Sequence, residues 1–436
     1  MVDPLVDRVY LAAVNRSVLF DASRLLSRAE RTAPTGVDRV CLAYAEWLLG
    51  RPDLTVTAVR TRHDQLVVVD GAWFRRCVKS LRSRWTGDFF ERSLTPDEMR
   101  LMAALTDGAP MADSIMSQPP TDAARAPGRR TRVLKRLFRS QWTRKLPQSS
   151  LYFNVGHTGL TDPSILSGLE GRGIERIVML HDLIPITHPE FCRPGDGAKH
   201  RARVLTALRH ASQIVVNSAY TASELSAFAE REAIKPPPIH AVHLGLEPTF
   251  TAARPARTLQ PYFVHIGTIE ARKNLAFLLT VWRRLHERMG KAAPQLVLIG
   301  RYGWENEAVL DHLQRSPALR GLVHQASDLP DSALAGLMAG ARALIAPSSV
   351  EGFDLPAVEA SALGVPVIAS DIAAHRELVP NARLIDPLDG LGWLEALERA
   401  TRRPLKVPAY TAPTWNNHFA RVGECVGLDV RRAEAA

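Results

Sequence analysis

Along the chain, short runs of aliphatic and β-branched residues alternate with stretches of helical period, in two long series. In the first, residues 17–21 predict a strand, 31–38 a loop and 39–49 an amphipathic helix, with further strands at 54–60 and 65–70. Regular patterning then lapses from about 75 to 149. Within that stretch 111–128 carries Pro, Ala, Ser and Asp with few large apolar residues and reads as a loop. Order resumes with strands at 151–155, 177–180 and 213–217 and helices at 199–210 and 221–230. Residues 249–260 are polar, with prolines near both ends, and read as a linker.

The second series predicts strands at 262–266, 295–299, 343–347 and 365–370, with helices at 275–287, 332–340 and 355–363 between them. Strand–helix alternation of this kind gives mainly parallel sheets covered by helices on both faces. The expected organisation is therefore two α/β, Rossmann-like, doubly wound units. The first spans 1–250 with an irregular insertion at about 75–149; the second spans 261–436, with a last helix able to pack back on the first unit.

Composition changes this picture little. The 436 residues are 46% hydrophobic and 23% charged, as in ordinary soluble globular proteins. The four cysteines lie far apart with no C-x-x-C pair, which argues against a disulfide framework or a structural zinc site and fits a reducing cytoplasm. No run approaches the roughly 18 apolar residues that span a bilayer, and the N-terminus lacks the pattern of a signal peptide. The formal net charge of +10 reflects an arginine-rich composition or attraction to phosphates, nucleic acid or lipid headgroups. Charge alone does not choose among these.

The most informative segment runs from Ser348 to Glu359. A strand leads into a loop holding Glu351, Gly352, Phe353 and Asp354; Leu355 and Pro356 open a helix, and Gly364 follows it. Ligands of open parallel sheets bind beyond the carboxyl ends of strands, where helix amides donate to phosphate or hydroxyl oxygens. Glu351 in the loop and Glu359 on the helix would offer two separated acceptors, suited to the vicinal hydroxyls of a sugar or ribose. Taken alone, they also read as two solvated glutamates. A second strand–helix junction carries Gly267, Arg272 and Lys273. Cations at a helix N-terminus oppose its dipole, so their placement makes sense with an anion such as a diphosphate between them and the amides. By itself the loop also reads as a solvated basic turn.

Glu351-Gly352-Phe353, Leu355-Pro356 and Glu359 resemble the E-x7-E signature of the family 4 retaining glycosyltransferases. Gly267 through Asn274 is similar to that family's diphosphate loop, and Gly300 through Asn306, with Arg301, to the turn near its nucleotide. Pro34 through Arg39 and His181 through Pro185 extend the likeness over most of the chain outside 75–149. The resemblance implies a GT-B fold of two Rossmann-like domains facing across a cleft, with the donor on the C-terminal domain and the acceptor on the N-terminal one. It implies that Glu359 holds the ribose and Glu351 the hydroxyls of the transferred sugar. The amides of Phe353, Asp354 and Leu355 would approach sugar and phosphate. Arg272 and Lys273 would neutralise the diphosphate, with Gly36 close to it and His181 across the cleft near the sugar. Asp182, His157 and Arg39 would lie on the acceptor side. The family often has glycine in place of Asp354 and arginine in place of Thr268.

The chemistry so implied is transfer of a hexose, mannose first, from GDP-mannose or a UDP-hexose to a sugar hydroxyl of a polyprenyl-diphosphate-linked saccharide in polysaccharide assembly. No cofactor is expected, and with no D-x-D or other metal motif, no metal. A catalytically silent sugar-nucleotide- or partner-binding protein and a GT-B nucleotide-sugar epimerase are the alternatives. Residues 129–145 hold eight basic residues and no acidic one around an apolar stripe. That pattern reads either as contact with an anionic membrane surface or as a stripe packed on the sheet. The expected location is cytoplasmic, with peripheral contact at the inner face of the plasma membrane. Nucleic acid is not an expected partner, since no recognised module accompanies the charge. His188, His200, His210 and His375 show no pattern distinct from surface or packing roles.

Overall fold

The computed structural model describes residues 16–31, 33–62, 64–86, 96–107, 146–256, 261–407 and 409–429. The first apolar run forms β1 (Arg16–Asp21), whose last four residues are buried. A strand covered on both faces has no polar side, which is why it reads as a continuous run. Around it assemble β2 (Leu54–Arg62), β3 (Gln65–Val68), β4 (Leu151–Asn154), β5 (Glu175–Leu180), β6 (Gln213–Val216) and β7 (Ile239–Ala241), in the order β3-β2-β1-β4-β5-β6-β7. Only the β2–β3 pair is antiparallel; the other neighbours are parallel.

A second sheet holds β8 (Tyr262–Ile266), β9 (Gln295–Ile299), β10 (Val323–Ala326), β11 (Leu344–Ala346), β12 (Val367–Ser370) and β13 (Arg383–Ile385), in the order β10-β9-β8-β11-β12-β13. All its pairs are parallel. In each sheet the strand order reverses beside the first strand, between β1 and β4 and between β8 and β11. Loops leaving the carboxyl ends of adjacent strands diverge there and open a crevice for ligand.

The units share material. The outgoing chain at Leu246 bonds through its amide to Pro413 O on the returning chain, at 3.2 Å. Gly245 sits so close to that returning segment that a Cβ would lie 2.2 Å from Trp415 N. The Trp415–Cys425 helix then packs on the first unit. Phe419 stacks on Trp47 at 4.6 Å, and His418 Nε2 lies 3.0 Å from the Tyr44 hydroxyl.

Three readings of the sequence differ from the structure. The Gly36–Gly50 helix begins inside the stretch expected as a loop, because Thr35 and Asp38 close a reciprocal capping box around its first turn. The expected irregular insertion contains the Gly71–Thr86 and Pro96–Asp107 helices. The first is fixed by Phe74, Val78, Leu81 and Trp85, a buried stripe at helical spacing. The expected linker is partly ordered: Pro248–Phe250 is a 3-10 turn with Phe250 buried, and Ala256 N donates to Gly336 O at 2.9 Å. The basic stretch 129–145 lies outside the described residues.

Candidate active site

At the β8–β11 reversal two loops meet. Gly267–Asn274 leaves β8 and Pro347–Asp354 leaves β11, and Ser349 N donates to Arg272 O at 2.8 Å. Gly267 lets the first loop fold over Lys273: a Cβ there would sit 3.0 Å from Lys273 Cε. Ala271–Lys273 is a 3-10 turn, and Asn274 in the left-handed region redirects the chain into the Leu275–Met289 helix. Asp354 adopts the same left-handed backbone, φ 60°, before the Leu355–Ala362 helix. An ordinary side chain is disfavoured there, so the sequence keeps Asp354 against a local strain.

The loops interlock through buried charges. Lys273 Nζ lies 2.6 Å from Glu351 Oε1 and 3.5 Å from Asp354 Oδ1. Arg272 reaches Glu351 Oε2 and Glu270 Oε1, each at 2.5 Å. Burial opposes ionisation of Glu351, but the Arg272 and Lys273 cations outweigh it and hold the carboxyl below the usual glutamate range. Burial likewise disfavours the Lys273 ammonium, and Asp354 and Glu351 reverse the balance and raise its pKa. His265, buried beside them, is held down at about 4, first by burial and then by Lys273.

The first unit closes on this cluster. Gly352 faces the His181 backbone so closely that a Cβ would lie 2.5 Å from His181 O. Ser218 Oγ donates to Gly352 O at 2.9 Å. Gly36 faces Leu355, whose Cδ1 would be 3.3 Å from an added Cβ. The space left between the units here is a cavity of about 10 Å³ touching Asp182, Tyr220, Thr221, Glu224, Glu351 and Gly352. A larger hollow of about 270 Å³, bordered by Val367, Arg383 and Lys406, lies at the amino ends of β12 and β13, away from these loops.

The structure thus brings Lys273, Arg272, Glu351, Gly352, Phe353, Asp354, Leu355, Gly267, Gly36, His181 and Asp182 into one neighbourhood. His181 Nε2 bonds Val155 O at 2.9 Å, and burial pushes the imidazole down to about 4, so the ring is neutral. His157 packs 4.9 Å from it, with its own Nε2 bonded to Met179 O. Asp182 turns its carboxylate onto Ile184 N and takes His200 Nε2 on its carbonyl.

Two expected placements come out differently. Arg39 does not stay on the acceptor side; it crosses to the second unit, where Nη1 meets Glu359 Oε1 at 2.8 Å and Nη2 meets Asp331 Oδ1 at 2.5 Å. Glu359 is therefore paired with an arginine, while its Oε2 is buried without a hydrogen-bond partner. Burial drives the Glu359 carboxyl up to about 7, against the pull of Arg39 and with Asp331 and Glu247 adding to the rise. Arg39 is divided between Glu359 and Asp331, while nearby Glu247 is paired with Arg82, so burial outweighs the pull of the single guanidinium on Glu359. Arg301 stands at the carboxyl end of β9, half-exposed and paired with Asp328.

Several participants had no readable signal. Glu270, Asp331 and His375 come into contact with the cluster only through the fold. Glu377, on the Ala373–Leu378 helix, accepts from Ala219 N at 2.7 Å, Tyr220 N at 2.9 Å and His243 Nε2 at 2.8 Å, so it caps a helix of the opposite unit. Trp304 Nε1 also crosses, donating to Phe191 O at 2.8 Å. Among the described residues no group of three or more His, Cys, Asp or Glu is placed to hold a metal ion. Among them, too, no helix is long and apolar enough to cross a membrane.

Residues 260–402, which contain both loops, match the family "Glycosyl transferases group 1". Similar curated proteins include the O-antigen chain mannosyltransferase B of Escherichia coli, 31% identical over 229 residues, 50% of this chain and 58% of that protein. The serotype-specific mannosyltransferase WbdA of Escherichia coli is 29% identical over 229 residues, 49% of this chain and 28% of WbdA. The MMP alpha-(1->4)-mannosyltransferase of Mycolicibacterium hassiacum is 32% identical over 180 residues, 40% of this chain and 42% of that protein. The matched region thus spans between 28% and 58% of the length of these relatives.

Solved structures extend the likeness to nearly the whole chain. Anabaena HepE in complex with UDP and glucose superposes with a TM-score of 0.57 at 14% identity, over 95% of this chain and 100% of that one. Sucrose-phosphate synthase from Thermosynechococcus elongatus gives 0.55 at 15%, over 95% and 96%. The two parallel-sheet units are those of the GT-B fold.

Proposed function

We propose that this chain transfers a hexose, mannose first, from a nucleoside diphosphate sugar to a hydroxyl of a saccharide acceptor. The observation that carries the reading is the Lys273–Glu351 pair: a buried cation and a buried acid, 2.6 Å apart, on two loops that meet at a strand-order reversal inside the segment that matches the glycosyltransferase family. Lys273 and Arg272 are suited to the diphosphate, Glu351 to the hydroxyls of the departing sugar, and the first turn of the Leu355–Ala362 helix to phosphate or sugar oxygens. In the reaction the anomeric carbon leaves the diphosphate oxygen and bonds to the acceptor oxygen, with retention. The acceptor proton passes to the released phosphate.

Fixed cations beside a developing diphosphate charge stabilise it without reorganisation at the moment of reaction. They do so without a metal ion, and metal independence is part of the proposal. Ribose recognition by Glu359 requires that the carboxyl exchange Arg39 for the nucleoside, which couples donor binding to movement between the units. The relatives are named mannosyltransferases, one of the O-antigen chain, which favours a mannosyl donor and a growing polysaccharide; GDP-mannose and a lipid-linked acceptor are the specific forms proposed. Such an acceptor would bring the enzyme to the cytoplasmic membrane surface.

The test has two steps. GDP-mannose, UDP-glucose and UDP-galactose are screened for a rise in melting temperature, since a ligand that binds only the native state stabilises it. The donor that protects is then supplied radiolabelled with oligosaccharide acceptors. Transfer of label supports the proposal. Protection without transfer to any acceptor favours a silent binder, and conversion of the donor with no acceptor present favours an epimerase.

A further inference from the structure

The Asp354 carboxylate lies between Lys273 and a residue with no part in the reading so far. His375, fully buried on the Ala373–Leu378 helix, places Nε2 2.9 Å from Asp354 Oδ2 and Nδ1 2.8 Å from Ser370 O. A backbone carbonyl only accepts, so Nδ1 carries a hydrogen. The carboxylate also accepts, so a second hydrogen must lie between Nε2 and Oδ2. The pair therefore holds one proton more than a neutral imidazole beside a carboxylate, and as a unit it is uncharged wherever that proton sits.

This decides what Lys273 can do. Its ammonium is 2.6 Å from Glu351 and 3.5 Å from Asp354. With the proton in place, Asp354 is partly neutralised by His375 and pulls less strongly on the ammonium, which stays nearer Glu351. Without it, Asp354 is a full anion in the low-dielectric pocket where a diphosphate is to bind, and it draws Lys273 to itself. Both effects oppose an anionic ligand.

The geometry points to His375 as a positioning residue that, through Asp354, keeps Lys273 and the charge of the pocket suited to a diphosphate; this rests on the donor-site reading above. The other ionisable groups that act on the pair are Glu351, Lys273 and Glu359, with His265 held neutral beside them. Burial lowers the pKa of His375, but its bond to Asp354 outweighs this and raises it, in line with a retained proton. Diphosphate affinity then declines as the pH rises through that raised value.

The test titrates GDP, with UDP as second probe, into wild type, His375→Gln and the double variant His375→Gln/Asp354→Asn from pH 6 to 9. In parallel, the His375 ring nitrogens of the wild-type protein are followed by NMR. Like-charge repulsion at this range predicts binding weakened roughly tenfold or more in His375→Gln, with its alkaline decline lost. Adding Asp354→Asn, which removes the uncompensated anion, restores most of the affinity. Wild-type binding by His375→Gln, or a double variant as weak as the single one, overturns the proposal. An NMR titration at the value of a free imidazole also overturns it. If neither nucleotide binds wild type, the donor reading fails, while the NMR measurement still decides where the proton is.

Discussion

Arg39 and Glu359 are 320 residues apart in the chain and meet at 2.8 Å across the boundary between the two units. Arg39 also reaches Asp331, and burial, with Asp331 and Glu247 nearby, holds the Glu359 carboxyl up at about 7 against the pull of Arg39. Its folded-state pKa, about 7, is above that of an exposed glutamate. Stability linked to this group is therefore present below the unfolded value and lost as the pH rises through about 7.

Glu359→Gln should accordingly be tolerated below pH 6, within about 1 kcal/mol of wild type, and should gain relative stability above pH 7. Urea denaturation across this range checks the sign. The same variant should weaken nucleotide binding through lost ribose contacts. Arg39→Ala, by contrast, leaves buried Asp331 without its cation and should cost about 3–5 kcal/mol at neutral pH.

Gly352→Ala should separate folding from closure. The added methyl would meet His181 O, so either the seam opens or the loop shifts, at a cost of about 1–3 kcal/mol. Transfer should fall more steeply than thermal stability, because the displaced loop carries Glu351. Melting curves read beside single-turnover rates measure the two effects.

Glu377 should act as a pH-dependent latch. Burial opposes its charge, but His243 and the Ala219 and Tyr220 amides outweigh this and lower its pKa. Its contribution is thus present above the unfolded glutamate value and lost as the pH falls through the lowered one. Glu377→Gln should speed hydrogen exchange at the Ala219 and Tyr220 amides at pH 7, and the difference from wild type should shrink on acidification.

The alternation of apolar runs and helical stretches was enough to read the two parallel sheets, since strands buried on both faces are nearly uniform in composition. The loops at Gly267 and Glu351 were readable because glycine, proline and charge fall at fixed places around strand ends. The Gly71–Thr86 helix was legible in the spacing of Phe74, Val78, Leu81 and Trp85, but the irregular sequence after it obscured the signal. The Arg39–Glu359 and His375–Asp354 pairs were not legible. Each joins residues that no local period connects, and only the packing of one element on another brings them together. The pairing of Lys273 with Glu351 also means that removing either one affects folding as well as chemistry, which their separate loops did not suggest.

The most direct test of the account is donor binding at the Lys273–Glu351 pair. Glu351→Gln preserves shape and leaves Arg272 paired with Glu270, so the protein should lose some stability yet remain folded. Calorimetry with GDP-mannose and GDP, alongside transfer rates, should show GDP bound nearly as in wild type, with GDP-mannose weakened and transfer reduced by about 100-fold or more. Lys273→Gln should lose affinity for both ligands. Unchanged binding and transfer in folded Glu351→Gln and Lys273→Gln proteins would contradict the account.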